Sequence, residues 1–220
     1  MKRNVSLEEI SDGKLYTAND MVKADCGDCK GCSSCCHGMG ESIVLDPLDI
    51  YRLTTNLEMS FEALLSRYIE LNVVDGVILP NLKMSGAQEA CGFLNSQGRC
   101  SIHPHRPGIC RLFPLGRYYE DGKFQYFLQA HECQKQNRTK VKVKKWIDTP
   151  DLTRYEAFVN DWHIFLLTME ERAMNVEDAE RKQISMFILQ NFYIKPYDRS
   201  VDFYQQYEAR RKEARMIFRG

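Results

Sequence analysis

The run Cys26-Gly27-Asp28-Cys29-Lys30-Gly31-Cys32-Ser33-Ser34-Cys35-Cys36-His37 sets the tightest limit on how this chain can fold, because it concentrates five of its nine cysteines. Cys26, Cys29, Cys32 and Cys35 step at intervals of three, and a C-x2-C step lets two thiolates from one turn converge on a soft cation. The same repeat matches the three-cysteine run that wraps a cubane iron–sulfur cluster, whose fourth ligand comes from a distance. Cys36 breaks the period. Neighbouring side chains on extended or turning backbone point apart, so Cys35 and Cys36 are expected to face different things, one of them a second metal, a second cluster or the core.

The compartment decides how so many thiols are read. The amino terminus carries no apolar signal region, and no window approaches the roughly 18 apolar residues of a membrane span, which predicts a cytoplasmic protein with no membrane contact. In a reducing compartment an odd, clustered set of cysteines is poorly explained by disulfides and points to metal binding. At 44% hydrophobic residues and zero net charge, the composition is that of an ordinary globular chain without the basic excess of a nucleic-acid binder.

Along the chain, the first twenty residues show no period and read as an arm or a fraying helix. Residues 41–45 alternate enough for a short strand. Asp46-Pro47 starts a helix, with Asp as N-cap and Pro at the first position. Ser60 caps a second helix whose apolar face runs through Phe61, Leu64, Leu65, Tyr68 and Ile69. Asp75-Gly76 and Asp121-Gly122 each join two apolar runs and predict hairpins with two-residue turns. Between them, Asn95-Ser96-Gln97-Gly98 separates Cys91–Leu94 from Arg99–Ile102, so Cys91 and Cys100 are expected on opposite arms of a small hairpin. Pro104, Pro107 and Gly108 interrupt regular structure, and residues 109–114 read as a single turn or short helix stopped by Pro114, delivering Cys110 from a rigid loop. Cys133 lies just past the last hairpin.

Residues 135–145 hold six Lys or Arg and no acid. With no net positive charge and no nucleic-acid module in the chain, this stretch reads as a solvated linker or a contact for an acidic protein partner rather than as a nucleic-acid tether. From residue 149 the pattern is helical: Tyr155, Phe158, Val159, Trp162, Phe165, Leu166 and Met169 recur at three and four, Asn175 is expected to cap a second helix, and Ser200 to begin a third. His163 falls among these apolar residues as a packing residue. The arginines at the end of the last helix suit a helix carboxyl end and need no ligand.

Cys29-x2-Cys32-x2-Cys35-Cys36 resembles the signature of a family of cysteine-cluster proteins described as zinc- or iron-chelating, often called YkgJ-like. Cys91-x-Phe93-Leu94, Gly98-x-Cys100-Ser101-Ile102 and Arg106-Pro107-x2-Cys110-Arg111-x-Phe113-Pro114 resemble its second half. The likeness covers about residues 26–133, with two departures: Cys26 is an added cysteine, and His103 stands where an aromatic such as Tyr is expected. Flagellin lysine-N-methylase is a related group, so the resemblance implies protein-lysine methyl transfer as an alternative function.

Together these readings predict an α+β fold, mainly helical with small β-hairpins around a cysteine-ligated metal site. A metal domain at 21–135, a basic linker at 136–148 and a three-helix extension at 149–220 are expected. The expected ligands are Cys29, Cys32, Cys35, Cys36, Cys91, Cys100, Cys110 and Cys133, forming one or two thiolate sites. An iron–sulfur cluster is favoured over zinc because the C-x2-C run has remote partners, although zinc accepts the same residues. Four thiolates leave a charge of about −2 on one divalent centre or oxidised cubane, and Arg106 and Arg111 are placed to offset it. His37 could complete a Cys3His site, and His103, His105 and His131 could support one from the next layer, although loop histidines are more often exposed. No phosphate-binding loop, dinucleotide fingerprint or radical S-adenosylmethionine spacing is present. Cys29 and Cys32 also form a C-x-x-C pair, but the chain lacks the βαβ pattern of a thiol redox protein.

Overall fold

In a computed structural model, which describes residues 6–27, 32–135 and 137–218, the amino-terminal segment is built into sheets instead of forming an arm. A single helical turn, α1 (Leu7–Ile10), leads into β1 (Ser11–Tyr16) and β2 (Met21–Asp25). β1 pairs antiparallel with Lys123–Gln129 and β2 with Thr139–Lys142, partners more than a hundred residues away. Most β1 side chains are exposed, so backbone pairing rather than an apolar pattern makes it a strand, and periodicity could not reveal it.

Helix α2 (Pro47–Asn56) begins as its sequence dictates. Asp46 accepts from the Asp49 N–H and Asp49 accepts in return from the Asp46 N–H, a reciprocal capping box. Ser60 caps α3 (Phe61–Arg67), but the helix stops there, and Ile69 opens β3 (Ile69–Val74) instead of extending the helical face. β3 and β4 (Val77–Leu82) form the expected hairpin, with Asp75 and Gly76 at φ of 48° and 89° as a turn of the I′ kind requires. Residues 41–45 are not a strand; they contribute one bridge, Val44 to Asn81.

Two short strands, β5 (Met84–Ser85) and β6 (Ala90–Cys91), pair with each other. The expected hairpin joining Cys91 to Cys100 shrinks to a single bridge between Leu94 and Cys100, because the chain turns directly after Cys91, with Leu94 N–H bonded to the Cys91 carbonyl. A short helix α4 (Gly108–Leu112) carries Cys110. β7 (Leu115–Glu120) and β8 (Lys123–Gln129) turn at Asp121-Gly122, and β8 sits between β7 and β1 in a three-stranded sheet. The basic stretch forms β9 (Thr139–Lys142) and α5 (Val143–Ile147), anchored by fully buried Val143 and Ile147.

Three long helices complete the chain: α6 (Leu152–Met174), α7 (Asp178–Ile188), which runs on into a π-helical stretch at Leu189–Ile194, and α8 (Phe203–Ile217). Asn175 closes α6 rather than opening α7, and Asp202 rather than Ser200 caps α8 by accepting from Gln205 N–H. Trp162 packs against Phe165, Phe192, Tyr193 and Tyr207 at the centre of this part. Arg210 and Arg211 are buried and occupied, which corrects their reading as end-of-helix charges. Arg210 donates to the carbonyls of Asn191, Lys195 and Pro196 and closes the π-helical end, whereas Arg211 pairs with Asp161 at 2.7 Å. The helices share one apolar core with the strands and α2. Tyr193 donates to the Leu45 carbonyl at 3.0 Å, and Tyr51 packs on Phe203.

His163 packs as expected, stacked on Tyr119 of β7 with ring centroids 3.6 Å apart. Burial, reinforced by the Arg117 charge, pushes its pKa down to about 4. The unfolded chain takes a proton there near pH 6.5, so the unfolded state binds more protons between the two values. The stabilisation is therefore complete above about pH 6.5 and is lost as the pH falls toward 4. Urea melts across this window should show a slope that flattens in His163→Phe; an unchanged slope would assign the titration to another group.

Candidate metal centre

Cys35 and Cys36 enter the site from a 3-10 turn, Ser34–Cys36, where Cys36 N–H bonds to the Ser33 carbonyl, and Cys32 from the segment just before it. A 3-10 turn advances about 120° per residue instead of the 180° of a strand, so successive side chains can share one side. That geometry overturns the expected divergence of the vicinal pair: both Cys35 and Cys36 line the same cavity, and the Cys36 thiol donates to Cys35. His37, next in the chain, leaves the site. Its Nδ1 lies 3.2 Å from the Gln88 carbonyl and its backbone bridges Ala90, which aligns the turn with β6 and hence with Cys91.

The opposite wall comes from the second cysteine group. Cys91 sits on β6, paired with Met84, and Cys100 follows a turn closed by Asn95, whose side chain accepts from the N–H groups of Gln97 and Arg99. Cys110 is delivered by α4, whose first residue, Gly108, donates its N–H to buried Asp49 at 2.8 Å. Asp49 thus ties the start of α4 to α2. Trp146 of α5 closes another side, its indole N–H shared between the carbonyls of Leu112 and Phe113.

The result is a cavity of about 130 Å³ lined by Cys32, Cys35, Cys36, Cys91, Cys100 and Cys110. Ile43, Leu82, Phe93, Ile102 and Leu115 supply an apolar remainder, and Arg99 and Arg106 the positive charge. A smaller hollow beside it is lined by Cys26, Cys32, Cys35 and Cys133, so Cys32 and Cys35 belong to both. Cys26, left out of the expected set, stands beside Cys133. Cys29 lies outside the described residues. Among the described residues no three His, Cys, Asp or Glu side chains converge as a ready metal-holding group; the thiols surround the cavity instead.

Electrostatics separate the thiols. Cys35, accepting from Cys36 and close to the Arg106 charge, has its pKa lowered to about 7, and Cys36 is pushed up by holding the shared proton. Burial raises Cys91 and Cys100 and raises Cys110 well above the ordinary thiol value, with neighbouring thiols adding to the effect on each. Cys35 is therefore disposed to ionise, and a bound cation would have to draw Cys36, Cys91, Cys100 and Cys110 into ionisation.

The two arginines expected to balance this charge part company. Arg106 lines the cavity, with Nη1 in close contact with His103 Nε2. Arg111 points elsewhere: its guanidinium donates to the carbonyls of Asp148 and Pro104 and clamps the loop before α4 to the end of α5. His105 and His131 are exposed and line neither thiol space. Sequence reasoning missed Asp49, Trp146 and Tyr155. Their roles depend on contacts across the fold, and only the capping pattern at Asp46-Pro47 hinted at the first.

Compared with known proteins, residues 28–134 match the model of the CxxCxxCC family, described as a putative zinc- or iron-chelating domain. No curated protein and no solved structure matches the chain, so the likeness to flagellin lysine-N-methylase is not shown.

Proposed function

From the match of residues 28–134 to the CxxCxxCC family model, we propose that the chain holds an iron–sulfur cluster in its thiol-lined cavity. Six cysteines around about 130 Å³ carry the reading. A water needs only about 10–15 Å³ of comparable space, so the cavity suits a group of several atoms better than a lone ion. Zinc remains the second reading, since the family description covers both and the same thiolates would take it.

The chain's own residues fit such a guest. Soft thiolates select iron–sulfur, zinc or monovalent copper over hard cations. Arg106 lines the cavity beside Cys35 and Cys100, and its positive charge favours their thiolates, which supports a role in balancing added negative charge. Apolar walls at Phe93, Ile102 and Leu115 exclude water, which strengthens every charge interaction inside. When bound, a cluster supplies one-electron chemistry; the protein tunes it through sulfur burial, the nearby guanidinium and hydrogen bonds.

Anaerobic purification, metal analysis and a visible spectrum before and after dithionite test the proposal. Stoichiometric iron and sulfide with a broad absorbance that bleaches on reduction is the expected result. A colourless protein carrying stoichiometric zinc would falsify the cluster reading and establish the second one.

A further inference from the structure

Beside the thiol cavity lies a separate cleft of about 1060 Å³, and its charge is unlike that of the rest of this neutral chain. Four elements build it. α2 contributes Arg52, the turn at 103–106 contributes His103, His105 and Arg106, α4 contributes Arg111, and α5 contributes Lys144 and Lys145. Against these five Arg and Lys side chains stands one carboxylate, Asp148, and even if Arg106 is assigned to the thiolates, four cations still face it.

Local pairing leaves much of this charge unspent. The Asp148 carboxylate is 87% exposed and reaches Arg111 only at 3.9 Å. Arg52 rests on the Tyr155 ring, but its Nη1 is buried without a hydrogen-bond partner, as are Nε of Arg106 and Nε of Arg111. Those atoms are shielded from a ligand, but the net positive charge of the lining is not, and a bound anion offsets it. Lys144 and Lys145 are exposed at the rim, where flexible ammonium groups can close on phosphate oxygens.

The lining also says what kind of anion fits. No Phe, Tyr or Trp lines the cleft, so it lacks the rings on which nucleic-acid bases stack. The remaining lining is prolines, Leu152, Asn56 and Thr149, which present no apolar patch for a peptide anchor. We propose that this cleft binds a small phosphorylated anion, gripped by Arg52, Lys144 and Lys145, with the Arg111 charge behind them while its Nη groups stay on backbone carbonyls. Arg106 and His103 line both the cleft and the thiol cavity, so the anion sits one side chain away from the metal centre.

Calorimetric titration of the full-length, metal-loaded protein with inorganic pyrophosphate, ATP and a single-stranded oligonucleotide tests this. Pyrophosphate and ATP should bind once each with similar affinity, because nothing recognises the base, and raised salt should weaken both. The Lys144→Ala/Lys145→Ala variant should lose affinity by about tenfold or more, with its metal content and melting temperature unchanged. Those controls separate a failure here from a failure of the cluster assignment. Saturable pyrophosphate binding that the double variant does not weaken would overturn the proposal, as would no binding of pyrophosphate at all. Affinity that appears only with the oligonucleotide and grows with its length would replace it with a nucleic-acid surface.

Discussion

Replacing Cys35 with Ala should strip the protein of its metal and lower its melting temperature more than any other single cysteine substitution among the described residues. Among the described cysteines, Cys32 and Cys35 are the two that line both thiol spaces, and the Cys36 hydrogen bond and the Arg106 charge favour the Cys35 thiolate. Metal binding and folding are coupled wherever ligands come from distant segments; in small zinc domains the site contributes about 10–16 kcal/mol of apparent binding energy to folding. Inductively coupled plasma metal analysis and thermal melts of the as-isolated variants provide the comparison. Cys26→Ala and Cys133→Ala touch only the smaller hollow and should retain the guest of the main cavity. If Cys26→Ala empties the protein while Cys110→Ala leaves it full, the true site lies in the smaller hollow and the main cavity holds nothing.

The second large effect is expected far from any sulfur, at Gly108. A methyl group added there would lie 2.2 Å from the hydroxyl of Tyr155, a buried residue of α6, and 3.7 Å from the Asp49 carboxylate. The Tyr155 oxygen cannot simply retreat, because it accepts from Arg117 at 3.0 Å. Overpacking of this kind costs about 1–3 kcal/mol, and Gly108→Ala should fall at the upper end because α4 must shift to relieve it. Shifting α4 also moves Cys110, so metal content should fall together with stability. Tyr155→Phe removes the offending atom and leaves its ring carbon at an ordinary 3.4 Å. The double variant should therefore be more stable in urea than the two single effects added together predict. Strict additivity would mean that Gly108 tolerates a side chain for another reason, and that the α4–α6 contact does not position Cys110.

What could be read in advance divides by range. The capping box at Asp46, the cap at Ser60 and both Asp-Gly hairpins are local signals, and each forms where its residues predict. The ends of those elements were less legible, since Ile69 obeys its pairing with Leu82 rather than the helical spacing it also satisfies. β1 and β2 were invisible because their partners lie beyond any window. At the site, spacing brought the cysteines under suspicion, and the cavity gathers six of the eight expected ligands on one wall system. It could not reveal that a 3-10 turn would point Cys35 and Cys36 the same way, nor that Cys26 would stand beside Cys133. Arg111 carried the right charge but spends it on backbone carbonyls, a choice made by the approach of residues 104 and 148.

The pairing of β1 with β8 and of β2 with β9 has a consequence for the order of synthesis. The first cysteine run leaves the ribosome with neither its flanking strands paired nor Cys91, Cys100 and Cys110 yet made. At about 5–20 residues per second, the wait from Cys35 to Cys133 lasts on the order of 5–20 s. During that interval the nascent thiols are open to oxidation and to stray metal. Cells short of the correct guest, or rich in oxidant, should therefore damage newly made chains long before they damage folded ones, and pulse-chase thiol labelling would show the vulnerability confined to the first minute after synthesis.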